Sequence, residues 1–478
     1  MREAVRVSGQ RSDESRFDHL RGLAHTAAVR FCSLCRGRRR QGLVATLTVA
    51  LVLAVAVPQA AAGSRRPALP VAAHLVDNAC NGGRPVAIAA PHAWLGGAPS
   101  VATTMLPGGG TVVAVSSGYP PAGYALLYAF TATCTLVAAF GEHGTSRLSL
   151  GGRTFSIAAM APASGGGVFV AGEAAGGWFV GRVGVDGRFD PAFARTGWTV
   201  VPWPGGASAV TQTTAGDVVV GGSAGSGCCV RAWVGELSQA GAVVTTFGSG
   251  GRTAVPVLGD SQVARVATEA DGDILELTGG GNMGCWGVSM AALTPTGAPV
   301  QGFEASFRSA MTHALPGVFV GDLAVRGDGF LLLGTAQAGC VQHALSTSAA
   351  GRAVAFKSGG GLDGSFGREG VASFASPMQS PVWALPERGG SVLVAGTTPA
   401  LQGLPSAHDQ LHLLELSPGG RVLTSFGHDG TAQLQLPYRN GAFPPAAVPV
   451  AIASDGLVSS VVSSNGAGTA LQLVQLQG

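Results

Sequence analysis

Lysine is nearly missing from this chain: Lys357 is the single one in 478 residues. Charged residues make up only 12%, about half the roughly 25% of an ordinary globular chain. Long solvated helical faces are therefore not expected. No run after residue 65 approaches the roughly 18 apolar residues that span a membrane. A zinc-binding H-E-x-x-H helix and a phosphate loop ending in Gly-Lys-Ser/Thr are both missing, which removes the commonest metallohydrolase and nucleotide-binding signatures. What fills the space is glycine, 75 residues of it. The lysine-poor, Arg-, Ala- and Gly-rich composition matches GC-rich codon usage.

Residues 1–62 differ from the rest. They hold ten Arg against Glu3, Asp13, Glu14 and Asp18. Arg36 and Arg38–Arg40 stand just before the apolar run Leu43–Val57, and Pro58 and Ala60–Ala62 follow. A basic flank, a short apolar core and an Ala-x-Ala end are the parts of a secretory signal. Cleavage is expected near Ala62, with an uncleaved signal anchor as the alternative, and a secreted product that stays associated with the cell envelope in one variant of this reading. Residues 63–83 are read as the mature N-terminal segment and 84–478 as the folded body. Past residue 62 there are 19 basic and 22 acidic residues. The apparent basicity belongs to the leader, so nucleic-acid binding, which needs a basic footprint, is not expected.

The chain repeats itself. Phe247-Gly-Ser-Gly-Gly251 returns as Phe366-Gly-Arg-Glu-Gly370 and Phe426-Gly-His-Asp-Gly430. Phe140, Phe193 and Phe303 continue the series, with spacings of 53, 54, 56, 63 and 60 residues. A second marker, a Gly-rich turn before a Val/Leu run, falls at Gly110, Gly167, Gly216, Gly272, Gly329, Gly390 and Gly456. In the fourth copy Gln262–Glu269, Ile274–Leu277 and Val288–Leu293 read as strands separated by turns. Asp-Gly and Gly-Gly supply the positive φ that tight hairpins need. Seven copies of a four-stranded unit predict an all-β chain, a seven-bladed β-propeller of four-stranded antiparallel blades. A β-solenoid is the alternative, although its coils are shorter than this period.

Leu362-Asp-Gly-Ser-Phe-Gly-Arg-Glu-Gly370 followed by Val392–Gly396 resembles the delta-60 repeat of exported bacterial proteins, a relative of NHL-type propeller repeats. The resemblance covers most of 84–478. It is eroded where Phe193 precedes Ala194 and where Phe303 precedes Glu304 without a Gly-x-x-Gly turn. It implies a propeller and no particular chemistry. By analogy with NHL-type blades, Val263–Thr268 is innermost and Arg252–Val257 outermost. The strand near Arg84–Ile88 then pairs with Leu471–Leu476 to close the ring. In the same frame Cys80 and Cys134 lie on one face of neighbouring blades and are a candidate disulfide. Cys228, Cys229, Cys285 and Cys340 lie on the other, where a Cys228/Cys229-to-Cys285 bridge competes with a vicinal Cys228–Cys229 bridge. Disulfides suit an exported chain.

The remaining motifs have ordinary readings. Asp186, Asp271, Asp328, Asp363, Asp429 and Asp455 each precede Gly, as hairpin turns do, so a calcium ring is not expected. Gly221-x-Ser223-x-Gly225 lacks the strand-to-helix elbow of a nucleophile motif. Trp178, Trp233 and Trp383 fall in strands and read as core. No metal or cofactor is expected. The candidate binding residues are Asp260, His313, His343, His408, Asp409, Arg439 and Asn440. They gather on the face that carries the links between blades and the loops between second and third strands, with 335–351 and 397–409 as long loops. Arg265 and Arg326 stand out among otherwise small residues on the innermost strands. The leading expectation is a monomeric, non-enzymatic binding or scaffold module for a protein or glycan. The alternative is a secreted enzyme: a glycan hydrolase or lyase, a lactonase-like hydrolase or a quinone-dependent dehydrogenase.

Overall fold

The structure is a computed structural model. It describes residues 86–88, 99–106, 110–117, 123–224, 230–255, 262–282, 285–314, 318–327, 329–336, 350–375, 382–386, 390–398, 408–427, 429–439, 450–452, 458–464 and 470–476. The chain is all-β. Among the described residues the strands pair into seven antiparallel sheets, six of four strands and one of three. Their first strands are Pro99–Met105, Phe155–Pro162, Gly206–Gln212, Gln262–Thr268, Val318–Arg326, Val382–Pro386 and Val450–Ile452. The first six are followed by a Val- and Leu-rich second strand such as Val168–Ala174 or Val392–Thr398. Where their side chains are described these strands are almost wholly buried, which is why they read as apolar runs rather than as alternation.

Each first strand lies against the first strand of the next sheet, and Val450–Ile452 lies against Pro99–Met105. Val86–Ile88 pairs with Ala470–Leu476, with Val86 opposite Leu473 and Ile88 opposite Leu471. Ile88 packs with Val113, Val115, Tyr128 and Phe130 of the first sheet. First strands two to five carry a bulge at the same place, between Ile157 and Ala159, Ala207 and Ala209, Val263 and Arg265, and Val320 and Asp322. A bulge re-aims side chains along the strand. Here it directs side chains to the neighbouring sheet. Ser208 donates to the Val263 carbonyl, and Arg265 Nε donates to Asp322 Oδ1 at 2.7 Å. Between the first and second sheets, Ser100 Oγ donates to the Ile157 carbonyl at 2.7 Å.

The Phe-Gly repeat does more than mark a turn. Phe140, Phe193, Phe247, Phe303, Phe366 and Phe426 are all buried. The rings of the first five sit over the turn glycines Gly187, Gly241, Gly297, Gly360 and Gly420 of the following sheet, so that a Cβ there would lie 2.9–3.3 Å from ring carbons. The residue after Phe donates its amide into the same turn: Gly141 to Asp186 O and Ala194 to Ala240 O at 2.7 Å, Gly248 to Thr296 O and Gly367 to Gly419 O at 2.8 Å. Fourth-strand hydroxyls add to it, Thr253 Oγ1 donating to Gly297 O at 2.7 Å. Ala194 keeps its place by adopting φ 51°, so the substitution read as erosion at Phe193 preserves the joint. The Asp-Gly turns are closed by their own carboxylates, with Asp186, Asp271 and Asp363 accepting the amides of Arg188, Asp273 and Ser365.

Two expectations need correction. The fourth sheet has three described strands, and the helix Phe303–Ala314 stands where a fourth strand was expected. No Gly-x-x-Gly turn starts a strand after Phe303. Instead Phe303, Phe307, Ala310 and Met311 recur at helical spacing and pack onto Leu275, Met290 and Phe330. Glu304 in the first turn pairs with Arg308 one turn on, and both its charge and the pairing suit a helix start. The second correction is in the same sheet. The strands expected over Ile274–Leu277 and Val288–Leu293 are longer: Ile274–Asn282 runs through Gly279–Gly281 as regular ladder, and Cys285 opens the next strand. Ser223 lies within the strand Val218–Ala224, and Trp178 is fully buried, as the ordinary readings of both require.

Candidate functional site

The sequence candidates are brought together only in part. His408 and Asp409 begin the strand His408–Leu416, and Arg439 ends Thr431–Arg439, so they occupy strand ends rather than loops. His408 and Arg439 face each other in register. His313 lies near the end of the helix Phe303–Ala314. Asp260, His343 and Asn440 lie outside the described residues, as do Cys80, Cys228, Cys229 and Cys340. Cys134 is buried, has φ 58° and is disulfide-bonded. Among the described residues no three His, Cys, Asp or Glu converge as metal ligands.

Arg265 and Arg326, singled out on the first strands, both have protein partners. Arg265 pairs with Asp322, which is 7% exposed against 41% for the arginine side chain. Arg326 donates Nη2 to Pro418 O at 3.0 Å and lies over the Phe366 ring at 5.1 Å. Their charges are used to join neighbouring sheets.

Sequence reasoning missed a cleft between the second and third sheets. Its volume is about 380 Å³, and its walls are Thr154, Glu173, Ala174–Gly177 and Pro202–Gly205. One wall is the hairpin between the second and third strands of the second sheet; the other is the link into the third sheet. This is the face expected to carry function. The hairpin turns at Ala175-Gly176 alone, while the link between Val201 and Gly206 carries Pro202 and Pro204. Glu173 is exposed and leans along Gly206, whose missing side chain gives it room, since a Cβ there would lie 3.0 Å from Glu173 Cβ and 3.5 Å from Oε2. Arg153 sits at the rim, with Nη1 donating to Ala175 O at 3.3 Å. Behind the cleft Trp178 Nε1 donates to Pro204 O at 3.0 Å, and the Trp178 and Trp203 rings meet edge to face at 5.4 Å. No motif announces this site; only the unequal loop lengths of neighbouring repeats hint at it.

No family model matches the chain, and no curated protein matches it. Among solved structures it is similar to the polysaccharide lyase Uly1, at 11% identity over 81% of this chain and 91% of that one, with a TM-score of 0.43. It is also similar to the calcium-binding protein regucalcin from Agrobacterium tumefaciens, at 10% identity over 80% and 92%, TM-score 0.33. A Trypanosoma rangeli sialidase mutant with trans-sialidase activity aligns at 10% identity over 79% and 53%, TM-score 0.35. Likeness this distant transfers no activity.

Glu276, Glu236 and His412 are among the buried titratable groups that lie away from the cleft. Glu276 is fully buried, and both its oxygens lack partners. Burial alone holds its carboxyl well above the usual range. Glu236 is pushed up to about 7, by burial first and by the Asp217 carboxylate second. His412 is buried with an unpartnered Nε2, and burial lowers it to about 4. Between pH 4 and 6.5 the folded protein thus holds fewer protons at His412 than the unfolded chain does. Stability from this site is present at neutral pH and lost as pH falls through that window, by up to about 3 kcal/mol. Replacing His412 with leucine is expected to flatten the loss of the urea midpoint between pH 6.5 and 4.5; an unchanged slope would refute this.

Proposed function

We propose that this is an exported, seven-bladed β-propeller that serves as a binding module and presents the face carrying the second-to-third-strand loops. The closed ring is supported by the contact of Val450–Ile452 with Pro99–Met105 and by the pairing of Val86–Ile88 with Ala470–Leu476. Cys134 lies in the cluster that receives Ile88, which favours Cys80, six residues before Val86 on the chain, as its partner. The observation that carries the binding reading is the polar cleft of Glu173 and Trp203, seated on that face and backed by rigid packing. A glycan-active enzyme is the second reading, favoured by the exposed Glu173 carboxylate in the same cleft. Hydrolysis by paired carboxylates needs a second one about 5–10 Å away, and among the described lining residues Glu173 is the one carboxylate.

The test is co-sedimentation of the exported protein with insoluble polysaccharides and with envelope protein fractions, followed by assay of the supernatant for new reducing ends or unsaturated sugars. Retention on one fraction without product is expected. Product formation would install the enzyme reading, and retention on no fraction would sink the binding reading.

A further inference from the structure

The seam between the second and third sheets holds an arrangement that goes beyond a generic platform. Glu173 lines the cleft, and Arg153, just outside its walls, reaches the same hairpin at Ala175 O; the two do not form an ion pair with each other among the described residues. Arg153 spends one N–H on Ala175 O, and a guanidinium has five N–H donors. The carboxylate offers only acceptors. Between them runs main chain stripped of side chains: Gly176, Gly177 and Gly205 hold φ of 110°, 141° and 86°, and Gly206 completes the series. The pair is electrically balanced, so the cleft has no net attraction for a charged ligand. Its lining mixes Glu173, Thr154 and bare glycine backbone with alanine, proline and Trp203.

A ligand suited to these walls must donate to a carboxylate, accept from a guanidinium and main-chain amides, carry no net charge and tolerate aliphatic contact. Vicinal hydroxyls on a saturated ring meet all of these conditions. We infer that the cleft is the seat of an uncharged carbohydrate, with Glu173 and Arg153 as the two arms that hold adjacent hydroxyls and Thr154 and the bare Gly176–Gly177 backbone as its floor. The volume, about 380 Å³, is in the lower range of small-molecule sites, which fits a short stretch of a glycan rather than a long chain.

This assignment rests on the binding-module reading, and the two can fail separately. The probes are cellohexaose, xylohexaose, maltohexaose and chitohexaose, titrated into the exported protein and followed by calorimetry and by tryptophan emission, because Trp178 and Trp203 back the cleft. One of the four is expected to bind. Glu173→Gln and Arg153→Gln should each weaken it by about tenfold, the loss expected for one charged hydrogen bond. Ala175→Trp, which fills the cleft from an exposed hairpin position, should abolish binding, while Val185→Ser at an exposed distant turn should leave it unchanged. Circular dichroism and urea midpoints establish that each variant folds. Binding that survives all three cleft substitutions would overturn the seat and leave the platform reading standing. Binding of none of the four sugars, with polymer or protein retention intact, would overturn the carbohydrate class.

Discussion

Replacing Glu276 with leucine is expected to raise the urea midpoint of the protein at pH 8, with a gain of about 2–4 kcal/mol, the scale of burying a polar group without a hydrogen-bond partner together with holding its proton at that pH. The expectation comes from comparing the sheets with one another. Glu276 occupies the third ladder position of its second strand, opposite Val266 and Ala291. In four other sheets that position is Val113, Val170, Val220 or Val394, all fully buried, and in the fifth sheet both the third and fourth positions, Leu331 and Leu332, are buried leucines. Val266 and Ala291 belong to the apolar cluster between the third and fourth sheets, with Val219, Val234 and Phe247. Glu236, on the third strand of the third sheet, is also buried, and Asp217 lies beside it.

The folded protein retains a proton on Glu276 that the unfolded chain releases above pH 4.5, so stability falls as pH rises from that value. Glu236 acts in the same direction between 4.5 and about 7, and His412 opposes it between about 4 and 6.5. Both contribute equally to wild type and variant, so the difference between the two proteins isolates Glu276. That difference should grow from pH 5 to pH 8. Glu276→Gln provides the finer test: it should remove the pH dependence but keep the desolvation cost of an unpaired polar group. A leucine variant no more stable than wild type at pH 8 would refute the account.

The second large effect is at Phe193. Truncation to alanine is expected to cost about 3–5 kcal/mol, the range for a buried aromatic ring. The ring is fully buried, meets Phe169 edge to face at 5.9 Å, and covers Gly241 of the next sheet. Gly241→Ala alone should also destabilise strongly, since φ there is 75° and the new Cβ would lie 2.9 Å from Ala194 N and 3.0 Å from Phe193 Cε1. In the double variant the ring clash is gone while the backbone clash stays. The two losses should therefore sum to more than the double variant shows. Strict additivity in urea unfolding would mean that the two residues do not form one joint.

Much of the architecture was legible because the repeat is written twice, in the Phe anchors and in the Gly turns. The anchors were visible as a spacing, but their purpose was not. Gly187, Gly241 and Gly297 look like ordinary hairpin residues until the ring of the preceding copy is seen above them. The helix at Phe303 was hidden for a related reason: the missing Gly-x-x-Gly was read as erosion of a strand, although Phe303, Phe307, Ala310 and Met311 already carried helical spacing. Glu276 was legible in principle, as one acidic residue inside Ile274-Leu-Glu-Leu277 where other copies read Val or Leu. The cleft was not, because Glu173 and Arg153 are brought to one place by a short hairpin and a proline-bearing link rather than by any motif.

The forward reach of each phenylalanine also sets an order in time. Each of the first five rings closes over a turn made 47 to 57 residues later in the sequence. A chain that emerges amino-terminus first cannot finish any unit until the next has appeared. Val86 waits for its partner Leu473, 387 residues later in the sequence. The joint that ties neighbouring sheets together thus also delays the completion of each one.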